Sequence, residues 1–582
     1  MRRFLTELAL VLGVGLLLAS VWTWPLLPNL GQALPFDPAS AGPTGSDMHI
    51  WTWNFWWAGQ VVSGAGTPFY SDAIFLPLGH SLVFHTHSFF WGLLTLPLQW
   101  LFGVPFAVGA ALLLLPATAF AAAYLLARDL GTSRPAAGLA GLGWAFAPYF
   151  AQKGLEHLCF AATPWPPLLV LFLLRWMRHP VHDSAGPWRS ALGAGTVLGL
   201  GLLSGSLVGL YLVVLAALVV LLAPGSGKDG ARTPRRMALV EPRALLLFLV
   251  TCWVLAWPLL TELRLESASL AASADAAAGL EALGREVVAR PSLADFLRLS
   301  SHHPLGTVPE GAPPGWNESS ALHISAALIV LAALAVGRGR GLGRWLVLAV
   351  VGLLLTWDPV VAKADGGFFS ALYHRLPYLD ALRVPARFMP LVLLPLAILG
   401  AFGLDRLRRR SAKAAVVLVL VLVAESWTRA VPLMDVTAPP AVAALAEAPM
   451  RAGGGDGVLT LPVPPGASKA MTWQAWHGRP VVFSYVARAN PRATSYWLQA
   501  TPDLFSLAVP RLRPDGSMVA PTPLSLSIDL ANVGVGDVLV DEARLEAGAP
   551  ELLELLLELL DQMPGWERQA VEGTVAWWRR VA

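Results

Sequence analysis

Residues Pro43 to Gly92 read PTGSDMHIWTWNFWWAGQVVSGAGTPFYSDAIFLPLGHSLVFHTHSFFWG. Asp47, His49, Asp72, His80, His85 and His87 lie here among Trp51, Trp53, Trp56 and Trp57, after one apolar segment and before nearly all the others. Tryptophan favours the lipid–water interface, because its ring is apolar while its N–H needs a partner. A Trp-dense stretch holding carboxylates and imidazoles therefore predicts a polar site at the mouth of a helical membrane bundle, with the rest of the chain as scaffold.

Composition supports the bundle. The chain has 582 residues, 55% hydrophobic and only 14% charged, with a mean hydropathy of +0.58. Soluble proteins carry roughly 25% charged residues. A net charge of +3 is too small to imply nucleic acid as a partner. The two cysteines, Cys159 and Cys252, lie within or beside apolar stretches, which argues against a disulfide framework and a thiolate metal site.

A membrane-crossing helix needs about 20 apolar residues, and about 11 stretches qualify. They lie near 4–24, 104–127, 135–150, 158–177, 191–205, 206–223, 244–262, 321–337, 343–357, 386–404 and 413–430. The first is read as an uncleaved span, because two arginines precede it and no small-residue cleavage site follows. Every second connection is basic, carrying Arg128 and Arg134, then Arg175, Arg178 and Arg189, then Lys228 to Arg243, then Arg338, Arg340 and Arg344, then Arg406 to Lys413. The positive-inside rule puts these connections and the N-terminus in the cytoplasm. Ser88 to Leu101 is too short to cross, so it is expected to be re-entrant or interfacial on the outer side.

The expected fold is an all-α polytopic membrane protein with a smaller C-terminal α/β extracytoplasmic domain. Residues 1–430 form the membrane domain, with a first outer loop at 25–103 and a long outer loop at 261–320 that holds a soluble helix around Leu280 to Arg298. Residues 431–582 form the outer domain, with strands at 457–463, 537–542 and 573–581. Its helix at 551–563 places Glu551, Glu554, Glu558 and Asp561 on one solvated face.

Five segments carry a resemblance: GSDMHIWTWNFWWAGQ, TPFYSDAIFLPLGHSLVFHTHS, WAFAPYFAQKGLEHL, LRVPARF at 382–388 and WQAWHGRP at 473–480. Together they resemble polytopic proteins of the GT-C glycosyltransferase superfamily, especially the bacterial RgtA/B/C/D-like and YfhO-like groups. The resemblance implies a multi-pass protein of the bacterial cytoplasmic (inner) membrane, an acidic residue in the first outer loop, and a polyprenyl-phosphate-linked sugar as donor. Asp47 matches that acid, as general base on the acceptor hydroxyl or as part of a metal site. A carboxylate beside low-dielectric lipid can have a raised pKa suited to taking a proton. The plainer reading of Asp47 is a helix N-cap.

Other residues carry two readings each. His49, and the pair His85 and His87, have the two-residue spacing that puts side chains on one side of an extended segment. They are candidate ligands for a divalent metal ion, the one possible cofactor, or else ordinary hydrogen-bonding imidazoles. Glu156 and His157, at the outer end of a span, are candidate catalytic groups, although Lys153 could simply pair with Glu156. Glu262, Arg264 and Glu266 offer a second acid in the same layer. His374, Arg375, Arg383 and Arg387 break the rule that outer loops are poor in positive charge. Lipid phosphate would compensate them, most directly on Arg383 and Arg387, since guanidinium binds phosphate through paired hydrogen bonds. Pairing with Asp380 or Asp365, or snorkelling to headgroups, is the alternative. Trp51 is a further candidate substrate contact, and Trp473, Gln474 and His477 either stack on sugar or pack within the domain.

These readings lead to a transferase that moves a sugar from a polyprenyl-phosphate donor to an acceptor hydroxyl by a single inverting displacement. Its partners are the lipid-linked sugar, membrane lipid and an acceptor that is a glycan, a lipid or a protein. A transporter or flippase of lipid-linked sugars, or a non-catalytic assembly subunit with the same fold, are the alternatives. The spans are nearly free of charge and the polar groups gather on one side, which favours an enzyme on the outer face.

Overall fold

The structure is a computed structural model. It describes residues 2–37, 46–83, 85–158, 161, 163–178, 187–222, 241–271, 291–307, 321–336, 342–357, 360–362, 366–367, 385–451, 455–463, 467–484, 499–508 and 521–581. The chain divides into two compact units. The first comprises Met1–Leu30, Gly109–Trp257 and Glu281–Leu433, and the second comprises Gly31–Val108, Pro258–Leu280 and Met434–Ala582.

Each apolar stretch read from the sequence contains a helix. Among the described residues four helices, Arg2–Trp22, Val104–Asp129, Pro242–Ser267 and Pro385–Arg410, are long and apolar enough to cross a membrane. Ser206–Leu221, Ala326–Val336 and Gly343–Trp357 are shorter apolar helices. Arg2–Trp22 leaves Phe4, Leu5, Leu10 and Leu17 exposed. A helix that is apolar on its uncovered face needs lipid around it, so the chain is a membrane protein.

The helix Pro390–Arg410 is the axis of the first unit and packs against Ala326–Val336, Arg134–Ala145 and Gly343–Trp357. Lipid tails are as apolar as leucine, so helices associate in a bilayer by close packing across small residues. Gly403 shows the consequence, since a Cβ there would lie 1.8 Å from Leu331 O. Gly352 allows a similar approach to the backbone of Leu391, at 2.7 Å. A second group packs Trp165–Arg178 against Pro187–Ser204 and Ser206–Leu221.

The basic connections of this unit meet at one end. Asp129 takes Arg175 at 2.7 Å and Arg178 at 2.5 Å. Glu7 takes Arg134 at 2.9 Å, and Arg406 donates to Leu334 O at 2.6 Å. Basic groups from connections far apart in sequence thus share one side of the bundle, as the charge pattern requires.

The second unit is built on a four-stranded sheet. Gly457–Leu461 pairs parallel with Val535–Asp541, which pairs antiparallel with Val575–Arg580, which pairs antiparallel with Trp566–Arg568. Every residue of Val535–Asp541 is buried, as expected of a central strand covered on both faces. The helix Pro550–Asp561 shows Glu551, Glu554, Glu558 and Asp561 to solvent and buries Leu556, Leu559 and Leu560. Asp537 is fully buried and binds Arg451 at 2.9 Å, Arg479 at 3.4 Å and Trp577 Nε1 at 3.0 Å.

The first outer loop shares this unit's core instead of standing apart. Ile50, Trp53, Trp56, Trp57, Ile74, Phe75 and Leu82 join Val458, Leu459, Met471, Trp473 and Val481 in one cluster. Backbone bonds link the same segments, with Val481 N donating to Ala73 O at 2.9 Å and Leu76 N donating to Val481 O at 3.2 Å. Ser88 to Leu101 forms two short helices, Phe89–Leu94 and Leu96–Phe102. Trp100, Leu101 and Phe102 are exposed at their end. Most of the helix expected around Leu280 to Arg298 lies outside the described residues. The described part holds one turn, Leu293–Phe296.

Candidate functional site

The helix Met48–Val62 carries the Trp-rich sequence and packs against Ala467–His477 and Phe89–Leu94. Asp47 stands at its N-cap, and its carboxylate makes no capping hydrogen bond. Asp47 O accepts from Ile50 N at 2.9 Å and from Trp51 N at 3.1 Å, while Met48 N donates to Ser46 Oγ at 3.1 Å. The capping reading of the Asp47 side chain is therefore replaced. The backbone of Asp47 starts the helix, and the residue is half-buried.

The tryptophans are core residues, which corrects their reading as interface anchors. Trp51 and Trp53 are fully buried, and Trp57 nearly so. Trp53 stacks on Trp57 with ring centroids 5.6 Å apart and planes 5° apart. Trp53 Nε1 donates to Gln474 Oε1 at 2.7 Å. Gln474 Nε2 in turn donates to Ala73 O at 2.6 Å and to Arg479 O at 3.1 Å. A buried ring gives up much apolar area to the core, and its N–H found a protein partner in place of a headgroup. The Trp51 ring is fully enclosed. Trp473, Gln474 and His477 are likewise buried, so they pack instead of facing a sugar.

The histidines turn to different partners. His49 Nδ1 lies 2.8 Å from Thr472 Oγ1. His85 Nε2 lies 3.1 Å from Asn54 Oδ1, whose Nδ2 donates to Thr86 O at 2.8 Å. The His87 ring meets Phe69 edge-on at 4.8 Å. Among the described residues no three His, Cys, Asp or Glu side chains come together as a metal-binding group. The chelating arrangement that the spacing of His49, His85 and His87 suggested does not fit this geometry, because these residues lie on a helix and in a folded loop, not on an extended segment. Burial holds the His49 imidazole down to about 3, with Lys469 and Arg544 adding to the effect. Burial does the same to His85, aided by His87 and His80, and to His477, aided by Arg479. All three are neutral at physiological pH. Lys469 and Arg544 also put positive charge beside the first turn of the Met48 helix, a feature that no local spacing in the sequence reveals.

A second polar group gathers nearby in the loop. Tyr70–Ser71 and His80–Ser81 pair as a short antiparallel ribbon. Ser81 hydrogen-bonds Glu262, and Glu262 and Glu266 bear on Tyr70. Burial lowers the His80 pKa, opposed in part by Ser81 O and Glu266. Burial also raises the Tyr70 phenol, with Asp72, Glu262 and Glu266 adding to it. Glu262 and Glu266 thus meet the first loop through its ribbon, a pairing across about 190 residues of sequence that periodicity cannot show.

In the first unit, Glu156 ends the helix Pro148–Glu156, and its side chain lies outside the described residues. His157 follows half-buried, its N donating to Lys153 O at 2.8 Å. Lys153 is fully buried over the Tyr149 ring, 5.7 Å from its centroid. Arg387 sits half-buried on the single turn Pro385–Phe388 that leads into the central helix. His374, Arg375 and Arg383 lie outside the described residues, as do Asp365 and Asp380.

No family model matches the sequence, and no curated protein matches it. Solved structures do match. The arabinofuranosyltransferase AftD from mycobacteria aligns with 100% of this chain and 40% of its own, with a TM-score of 0.54 and 17% identity. An Archaeoglobus fulgidus oligosaccharyltransferase tethered with an acceptor peptide aligns with 94% of this chain and 72% of its own, with a TM-score of 0.44 and 13% identity. ArnT from Cupriavidus metallidurans aligns with 100% of this chain and 99% of its own, with a TM-score of 0.40 and 14% identity. The likeness to AftD is a likeness of fold. The chain spans 40% of the length of AftD.

Proposed function

We propose that this chain is an integral membrane glycosyltransferase that moves a sugar from a polyprenyl-phosphate donor to an acceptor hydroxyl on the outer face of the membrane. The observation that carries this reading is the fold likeness, over the whole chain, to a protein named as an arabinofuranosyltransferase. Asp47 is the base. Its carboxylate makes no capping hydrogen bond and stands at the start of a buried helix, where packing holds a proton acceptor in place. Arg387 and Arg383 hold the donor phosphate, Glu156 and His157 assist, and the acceptor oxygen attacks the anomeric carbon as the lipid phosphate leaves with inversion. Positioning and stabilisation of developing charge supply most of the rate, because the leaving group is already good.

Asp47→Asn and Arg387→Ala separate the two roles. Asp47→Asn is expected to bind the lipid-linked sugar as wild type does and to lose about 10²–10⁴ in turnover. Arg387→Ala is expected to raise the KM for donor more than it lowers kcat. Equal donor affinity and equal turnover in all three proteins would overturn the assignment.

A further inference from the structure

At the end of the first unit where the basic connections meet, a cavity of about 490 Å³ is lined by Arg128, Thr132, Ser133, Asp405, Arg408 and Arg409 among others. Its walls come from the ends of two apolar helices, Val104–Asp129 and Pro390–Arg410, and from the turn that opens Arg134–Ala145. Three guanidinium groups face one carboxylate there. That carboxylate is committed, because Asp405 accepts from Ser133 N at 2.8 Å and from Ser133 Oγ. It caps the Arg134 helix and leaves the arginines in excess. Arg408 donates to Ser133 Oγ at 3.2 Å, and Arg128 donates to Thr132 O and lies 3.9 Å from Glu7. Among the described residues neither Arg408 nor Arg409 forms an ion pair.

A polar cavity of this size, with an excess of positive charge at the ends of membrane helices, suits a phosphate group at headgroup depth. Guanidinium forks match phosphate oxygens better than they match water. We propose that this pocket binds the phosphate headgroup of an anionic membrane lipid of the phosphoglycerol type. The lining includes none of the candidate catalytic residues, and the proposal does not depend on the proposed transfer activity.

The test uses the full chain in neutral detergent, with native mass spectrometry to count retained lipid and with added phosphatidylglycerol, phosphatidylcholine or glycerol 3-phosphate. Wild type is expected to retain phosphatidylglycerol over phosphatidylcholine. The double variant Arg408→Gln/Arg409→Gln is expected to bind phosphatidylglycerol roughly 30-fold more weakly, and Arg409→Gln alone roughly 5-fold more weakly, at about one surface cation each. Arg408 and Arg409 are exposed, so folding is expected to survive in both. Arg410→Gln, outside the lining, is expected to bind like wild type. If glycerol 3-phosphate binds wild type as tightly as the lipid and is lost in the double variant, the same phosphate chemistry is served by a soluble anion. Equal retention of the two lipids, or equal phosphatidylglycerol binding by the double variant and Arg410→Gln, overturns the proposal.

Discussion

Replacing Gln474 by leucine tests the junction between the first outer loop and the C-terminal sheet. Gln474 is fully buried and makes three hydrogen bonds, accepting from Trp53 Nε1 at 2.7 Å and donating to Ala73 O at 2.6 Å and Arg479 O at 3.1 Å. The losses are unequal. Ala73 O keeps a bond from Val481 N at 2.9 Å, so that carbonyl stays satisfied. Trp53 Nε1 is left buried without an acceptor, which costs about 1–3 kcal/mol, and each of the other two bonds is worth about 1 kcal/mol net. The expected total is about 3–5 kcal/mol. Trp53→Phe removes the stranded donor, so the double variant should cost about 1–2 kcal/mol less than the sum of the singles. Hydrogen exchange of the Met48–Val62 amides in the detergent-solubilised chain reads these opening energies. Additivity within about 0.5 kcal/mol, or a cost for Gln474→Leu below about 1 kcal/mol, would refute the reasoning.

Asp537→Ala removes a fully buried carboxylate from Arg451, Arg479 and Arg579, leaves Asp456 as the remaining partner of Arg451 and Arg479, and is expected to cost about 3 kcal/mol, read as early melting of the C-terminal sheet. A wild-type melting curve would contradict this. His49, His85 and His477 have folded values held down to about 3 against an ordinary 6.5. Between those values the unfolded chain binds more protons, so stability is full above 6.5 and falls as the pH drops toward 3. The slope approaches about 1.4 kcal/mol per pH unit for each histidine. Melting followed from pH 7 to pH 5 should show the fall, reduced in His49→Gln, and a flat profile would contradict it. Gly403→Val forces a side chain against Leu331 O and should cost upwards of about 1–3 kcal/mol, whereas Gly138→Ala, inside a helix with nothing within 4 Å, should melt no lower than wild type and gain up to about 1 kcal/mol.

What the sequence shows of this protein follows the range of its signals. Hydrophobic length is local, so each apolar stretch holds its helix and the strands near 457, 537 and 575 stand where alternation put them. Charge placement is nearly local, and it put the connections that carry Arg134, Arg175, Arg178 and Arg406 on one side, where Arg175 and Arg178 meet Asp129 and Arg134 meets Glu7. The site depends on contacts between distant residues. Trp53 meets Gln474 421 positions away, and His49 meets Thr472 423 positions away. Composition around Trp53 could not distinguish a headgroup from a buried amide, because both satisfy the same N–H. The two-residue spacing of His85 and His87 implies one shared face only in a strand, and these residues lie in a folded loop. Asp47 was legible as the first-loop acid only through resemblance, and that its side chain makes no capping bond is visible only in the helix geometry.

The most direct measurement of the central claim is release of polyprenyl phosphate from labelled polyprenyl-phosphate pentoses and hexoses by the purified protein, with membrane extract as acceptor and matched folding of wild type and Asp47→Asn. Sugar-dependent release by wild type, lowered at least a hundredfold in Asp47→Asn, is the expected result. Wild type that binds the lipid without ever releasing its phosphate, and that Asp47→Asn matches in every respect, would contradict the account.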